Sequence, residues 1–321
     1  MDAVANESPT GAAVSNPKSL VDCIYIAACA RDARLTRICV ASIRYFYPDI
    51  PIRLLAGEPL QRGLASELRR YWGVELVDLP EGDYGPGFVK LEPLFGRQGE
   101  SFLLIDVDTA FSGPVLDLRA ETDAPFIVDK EELPDADSKR LYYDWDKLRE
   151  IDPQVQPARS AFNTGQWFAT AGALKREDFD PWVEWTMPRC LRHPGAFMVG
   201  DQGVMNYVIL QKEAIAGLRV ARRAIMRWPG HSMEGLNAES IGKRTAPPQV
   251  IHWAGMKKTA LRQMVGSDIL QFFERFYYTR FPAGTLRRWF AICQHFWIHW
   301  LYWVSVRVKL SYRRMQAAIR H

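Results

Sequence analysis

The feature that most limits how this chain can fold is a repeated switch between short apolar runs and longer amphipathic stretches. Val21–Cys29 reads as a first strand, and a helical stretch over Leu35–Phe46 follows and stops before Pro48. Ile52–Leu55 reads as a strand, Leu60–Tyr71 as a helix and Gly73–Leu79 as a third strand. Strands alternating with helices at this spacing imply βαβ units and a mostly parallel sheet. Phe102–Asp106, Pro125–Asp129, Ala161–Thr170 and Gln249–Trp253 read as further strands, and Asp201–Leu210 as a helix with a carboxylate at its start. Residues 130–160 are charged, rich in Pro and Asp, and punctuated by Tyr142, Tyr143 and Trp145. They read as an excursion from the sheet, a lid or an acceptor-side loop. Residues 20–265 are therefore expected to form one α/β domain, flanked by a disordered leader (1–19) and an appended tail (266–321).

Apolar residues make up 48% of the chain, enough to fill the core such a domain needs. The leader carries Asp2 and Glu7 and has no apolar segment, which argues against a signal peptide. The five cysteines form no CxxC pair and read as reduced thiols of a cytosolic protein. The net charge of +4 is unevenly spread: nine Lys and Arg but no Asp or Glu fall between Arg275 and His321, so the rest is net acidic. A tail of that kind usually has its own anionic partner.

Asp106-Val107-Asp108 follows the buried run Ser101–Ile105. Side chains alternate along a strand, so Asp106 and Asp108 are expected on one side, where they can converge on one ion. Ligands of open α/β sheets bind beyond the carboxyl ends of the strands, where this pair lies. Oxygen ligands suit a hard cation, Mn²⁺ or Mg²⁺, and such a cation offsets the charge of a departing diphosphate. The tripeptide alone also suits a solvated turn.

Several other segments stand in order around this pair. They are Ile26–Val40 (IAACARDARLTRICV), Lys90-Leu91, Phe162-Asn163-Thr164-Gly165, Gly200-Asp201-Gln202-Gly203 with Asn206, and Ile251-His252-Trp253-Ala254-Gly255-Met256-Lys257-Lys258. Together they resemble glycosyltransferase family eight, which includes glycogenin and the bacterial lipooligosaccharide galactosyltransferases. The resemblance spans roughly residues 20–260. It implies the GT-A fold, a Rossmann-like mixed sheet flanked by helices. It also implies a metal site of Asp106, Asp108 and His252, with Lys90, Asp106, Asp129, Asn163 and Lys258 at the donor and Asp201 and Gln202 at the catalytic centre. Taken singly, His252 also suits an apolar core, Asn163 a turn, Asp201 a helix N-cap, and Lys257 with Lys258 a solvated pair. The sequence departs from the family pattern at Ala28, Cys29 and Asp32, where the family offers small polar or aromatic groups to the nucleoside, and at Thr259-Ala260.

The activity so implied is Mn²⁺-dependent transfer of a hexose, with retention, from a nucleotide diphosphate-sugar (a UDP-sugar in this family) to a glycan or lipid-linked acceptor. Gln202, a poor nucleophile, stands where a retaining glycosidase would place a carboxylate, which favours front-face substitution over a covalent intermediate. A sugar-nucleotide-binding protein with weak or lost transferase activity is the alternative. A nucleotidyltransferase also uses paired carboxylates, but no Gly-rich basic loop follows the first strand. In the tail, Trp289–Val306 is rich in Trp and Tyr between basic clusters, yet holds Gln294, His295, His299 and Ser305. This suits a helix lying on an anionic membrane surface better than a span, at the cytoplasmic inner face. A helix packed on the catalytic domain is the other reading; single-stranded nucleic acid, which basic and aromatic residues can also bind, has no further support.

Overall fold

The computed structural model describes residues 20–29, 32–198, 200–230, 233–256 and 259–293. Along the chain run β1 (Cys23–Ala28), α1 (Ala33–Phe46), β2 (Ile52–Ala56), α2 (Leu64–Trp72), β3 (Val74–Leu76), β4 (Ser101–Asp106) and β5 (Thr109–Phe111). Then come β6 (Phe126–Asp129), α3 (Asp135–Leu141), α4 (Trp145–Leu148), β7 (Gln166–Thr170), β8 (Val183–Glu184), β9 (Cys190–Leu191) and α5 (Asp201–Ala216). The last elements are β10 (Val220–Arg223), β11 (Met226–Arg227), α6 (Ala238–Gly242), β12 (Val250–His252) and α7 (Ser267–Tyr278).

Seven strands form the central sheet in the order β10-β6-β7-β4-β1-β2-β3. β10 runs parallel to β6 and β2 parallel to β3, whereas β7 runs antiparallel to both β4 and β6. The sheet is therefore mixed and flanked by helices, as the resemblance implies. A small second sheet has the order β11-β12-β5. Several expected elements are shorter than anticipated. The third strand covers only Val74–Leu76, and the strand expected over 161–170 begins at Gln166, leaving Ala161–Gly165 as a loop. The second helix starts at Leu64, because Gly63 ahead of it adopts φ +81°, a left-handed conformation that glycine tolerates without strain.

The chain divides into two compact units. The first takes the chain up to Tyr25, Gly82–Ile105 and Val115–Ala224. In its core Trp167 of β7 meets Phe102 of β4 edge-on at 5.5 Å and stacks on Phe126 of β6 at 6.2 Å. The 130–160 excursion belongs to this unit and is more ordered than a lid loop. Tyr142, Tyr143, Trp145 and Leu148 are all buried, and Tyr143 meets Tyr207 of α5 edge-on at 5.6 Å.

The second unit takes Ile26–Glu81, Asp106–Pro114 and the chain from Ile225 on. In α1 the residues Leu35, Ile38, Cys39, Ser42 and Ile43 recur at helical spacing and are all buried. Helix α7 lies against α1: Tyr45 meets Phe272, Phe273 and Phe276 edge-on at 5.3, 5.9 and 5.2 Å. Tyr277 of α7 stacks on Trp72 of α2 at 5.0 Å and donates its hydroxyl to Glu67 at 2.6 Å. Glu67 also receives Arg37 of α1 at 2.7 Å. The segment from 267 to 278 is thus part of this unit's core, and residues 294–321 lie outside the described residues. Tyr277 ties α7 to α2 through both its ring and its hydroxyl, and Glu67 carries the link on to Arg37 of α1. Tyr277→Phe should lower the unfolding free energy by about 1–2 kcal/mol, and Tyr277→Ala by about 3–5 kcal/mol, in denaturant unfolding of the full chain.

Candidate functional site

The four central residues of β4, Phe102 to Ile105, are fully buried, and Asp106 is its last residue. The strand does not continue through Asp108 as the alternation argument expects. Val107 and Asp108 form a turn, and the chain returns as β5. The Thr109 hydroxyl closes the turn by donating to the Asp106 carbonyl at 2.7 Å. The two carboxylates therefore converge through a reversal of the chain, not through the pleat.

His252 arrives from far along the sequence by strand pairing. β5 and β12 run antiparallel with Thr109 opposite His252, and the Trp253 N–H donates to the Asp108 carbonyl at 2.8 Å. His252 Nε2 lies 3.4 Å from Asp108 Oδ1 and 4.0 Å from Asp106 Oδ2. One ligand atom from each of the three side chains lies within 4.8 Å of the others. Asp108 and His252 are buried, whereas the Asp106 side chain is 23% exposed, so the cluster opens on that side. Helix α1 backs the turn. Its Ser42 hydroxyl accepts the Phe111 N–H at 3.1 Å, and the Cys39 thiol sits 3.9 Å from the Asp106 carbonyl. Burial pushes that thiol up to about 12.

These residues suit a divalent cation. Ligands at about 2.1 Å around an octahedral ion stand roughly 3 Å apart when adjacent and about 4 Å apart when opposite, close to the separations found. Two carboxylates crowded at this distance repel each other, and a cation between them removes that repulsion. Carboxylate oxygens with one imidazole favour a first-row ion such as Mn²⁺ over an all-oxygen site. The His252 Nδ1 is buried and meets no hydrogen-bond partner among the described residues. Its ring is instead held by Trp228, stacked at 5.3 Å with a 15° interplanar angle. Trp228 was not legible as a site residue: it follows a two-residue strand, β11, whose parallel pairing with β12 sets it beside His252.

Four of the other anticipated residues, Lys90, Asn163, Asp201 and Gln202, make polar contacts within the first unit. Lys90 Nζ lies 3.1 Å from Asp201 Oδ2, with both side chains over nine-tenths buried, and it also donates to the Thr164 carbonyl at 3.3 Å. Asn163 donates to Gln202 Oε1 at 3.2 Å, and Gln202 donates in turn to the Leu141 carbonyl at 3.0 Å. Asn163 also closes its own turn, accepting the Gly165 N–H at 2.8 Å. Asn206 clamps the loop at Phe162, accepting its N–H and donating to its carbonyl, each at 2.8 Å. The helix N-cap is Gly200, so Asp201 is not a cap; its carboxylate turns to Lys90. A Cβ on Gly87 would come within 1.9 Å of Asp201 Oδ1, so only glycine admits the carboxylate there. Asp129 ends β6, buried and in register with Arg223. Lys257 and Lys258 lie outside the described residues.

No protein-family model matches this sequence, and no curated protein matches it either. Among solved structures, the chain resembles the galactosyltransferase LgtC in complex with donor and acceptor sugar analogs. The TM-score is 0.55 at 15% identity, over 83% of this chain and 99% of that one. It also resembles the apo bifunctional glycosyltransferase WbbM, with TM-score 0.53 at 15% identity over 89% of this chain. The match covers 54% of WbbM, so this chain spans about half that protein's length. Likeness at this identity establishes the fold, the GT-A type.

A direct titration with MnCl₂ tests the cluster. Asp108→Asn should weaken binding strongly, and Trp228→Ala, which leaves all three ligands in place, should weaken it about 10–100-fold by loosening the imidazole. Unaltered binding in both variants would remove the cluster as a metal site.

Proposed function

We propose that this chain is a glycosyltransferase of the family-eight type, moving a hexose from a nucleoside diphosphate-sugar to a glycan or lipid-linked acceptor with retention of configuration. The observation that carries this reading is the meeting of Asp106, Asp108 and His252 at the turn after the central strand of a GT-A fold. Those three residues would hold Mn²⁺, which when bound offsets the negative charge developing on the leaving diphosphate. The sequence resemblance assigns Lys258 to that diphosphate and Lys90, Asn163 and Asp129 to the donor. The complex of LgtC with donor and acceptor analogs supports the same two substrate classes here.

The environment of Asp201 and Gln202 bears on the route. Asp201 is buried against the Lys90 ammonium, so its carboxylate is already charge-paired, which lowers its nucleophilicity. Both ends of the Gln202 amide are engaged, by Asn163 and by the Leu141 carbonyl. Neither group suits a covalent intermediate. The acceptor oxygen then attacks from the side the diphosphate leaves, and its proton passes to a donor phosphate oxygen. Asp201 and Gln202 hold the sugar while the Lys90 pair fixes the start of α5. A binding protein with little turnover is the second reading. It is favoured by Cys29 and Asp32, whose thiol and carboxylate lie 2.9 Å apart in the segment the family gives to the nucleoside.

A panel of nucleotide sugars, assayed for metal-dependent release of nucleoside diphosphate by the full chain, separates the two. Turnover with at least one donor is expected, and Asp108→Asn should reduce kcat by about 10³-fold with the fold intact. Equal turnover in that variant would overturn the assignment, and absence of turnover with every donor would favour the binding protein.

We also propose that the C-terminal helical segment rests on an anionic membrane surface at the cytoplasmic face. Leu286, Trp289 and Phe290 are each more than half exposed, and Arg287 beside them is exposed as well. Aromatic and basic groups so combined suit a headgroup layer. Among the described residues no helix is long and apolar enough to cross a membrane. The full chain should sediment with phosphatidylserine vesicles and less with phosphatidylcholine ones, and Trp289→Ser with Phe290→Ser should reduce this. Equal sedimentation of the wild type and the double variant would contradict it.

A further inference from the structure

Arg189 is a buried cation to which the transferase reading gives no task. It lies in the first unit, in the connection between β8 and β9, is only 5% exposed, and donates to Glu92. Its guanidinium lies over the ring of Tyr84, 4.2 Å from the centroid, and 5.1 Å from that of Trp185. Its Nε meets no hydrogen-bond partner among the described residues. Burying a charge with one donor idle costs stability, and its paired carboxylate offsets only part of that. A need for orientation explains such a residue better than a need for stability.

The contacts of Arg189 fall on both sides of Lys90. On the N-terminal side, its backbone N–H donates to the Asp83 carbonyl at 3.0 Å, and its guanidinium covers Tyr84. Its carbonyl lies so close to Gly85 that a Cβ there would come within 2.3 Å. On the C-terminal side it holds Glu92, two residues beyond Lys90 on the 3₁₀ helix Phe88–Phe95. At three residues per turn, side chains two apart point in different directions. Glu92 therefore turns to Arg189 while Lys90 turns to Asp201, 3.1 Å away. The other side of the same loop rests on the start of α5. A Cβ on Gly200 would come within 2.5 Å of the Pro86 carbonyl, and Gly87 leaves room for the Asp201 carboxylate. The Lys90 N–H donates to the Gly87 carbonyl at 2.9 Å, so the loop leads directly into the lysine.

We propose that Arg189 is a positioning residue for donor use: through Glu92 and the loop 83–87 it sets Lys90 against Asp201. This role rests on the transferase reading, which puts Lys90 at the donor and Asp201 at the catalytic centre. It makes the β8–β9 hairpin, which no sequence motif marks, a support of that centre.

A double-mutant cycle on the full chain tests this, with nucleoside diphosphate release measured at saturating MnCl₂ on the donor that the wild type turns over. Arg189→Met, which keeps the stem and removes the charge, should lower kcat/KM for the donor about 10–100-fold. Glu92→Gln should lower it in the same direction by less. In a Lys90→Met background, Arg189→Met should take away less than about a further twofold, because the group it positions is already gone. A merely structural role would instead multiply the two losses. Should Arg189→Met fail to fold, Glu92→Gln takes its place in the cycle. Manganese binding, whose candidate ligands belong to the second unit, should be unchanged in every variant. Wild-type kcat/KM in both Arg189→Met and Glu92→Gln, multiplied losses in the double variant, or a parallel loss of manganese binding would each overturn the proposal. Turnover that ignores Arg189 removes this role alone, whereas a wild type that turns over no donor removes the transferase reading and this role with it.

Discussion

The interaction on which the second unit depends is the approach of two carboxylates and an imidazole at a chain reversal after a strand whose central residues are fully buried. Without a cation that approach is unfavourable: Asp108 is almost wholly buried, Asp106 is partly so, and like charges at this range repel. The fold nevertheless enforces it from three directions. The Thr109 hydroxyl tightens the turn, the β5–β12 ladder delivers His252, and Ser42 and Cys39 of α1 support the reversal from behind. Ser112 extends the same ladder, donating its hydroxyl to the carbonyls of Pro247 and Gln249. So much backbone bonding around a few side chains indicates a geometry held in advance, which is what a site that binds a diphosphate through a cation requires.

The first unit answers a different problem. It buries one ammonium and one carboxylate together, Lys90 with Asp201, and surrounds them with amides. A buried ion pair adds little net stability, because desolvation of both partners offsets most of their attraction. Its value lies in orientation. Gly87 leaves room for the carboxylate, Asn206 fixes the loop at Phe162, and Asn163 and Gln202 restrain each other. The elements that the sequence resemblance places near a sugar are thus tied to one another inside a single unit.

Much of this was legible in the sequence, for identifiable reasons. The strands β1, β2, β4 and β6 are short apolar runs bounded by polar residues, and α1 keeps strict helical periodicity. Asp106 and Asp108 were legible as a candidate ion-binding pair from their place after a buried run, whereas His252 joined them only because its segment resembles a family. What escaped depends on contacts distant in sequence. The strand over Gln249–Trp253 was expected and is β12, but β5 and β11 are three and two residues long, too short to carry a period, so neither the turn at Val107-Asp108 nor the stacking of Trp228 could be anticipated. The aromatics of 130–160 looked like a surface excursion because their partners, such as Tyr207, lie far downstream. The rings of α7 presented the same ambiguity: an aromatic face serves a membrane or a neighbouring helix equally well, and here it meets Tyr45 and Trp72.

The central claim is that the 106/108 carboxylates and the 252 imidazole share one divalent ion. Crystals of the full chain grown with MnCl₂ and a nucleoside diphosphate, measured at the manganese absorption edge, address it directly. The account predicts one strong anomalous peak at about 2.0–2.3 Å from an oxygen of Asp106, an oxygen of Asp108 and a ring nitrogen of His252. An ordered His252 and Asp108 in direct contact, with no peak there at saturating manganese, would contradict it.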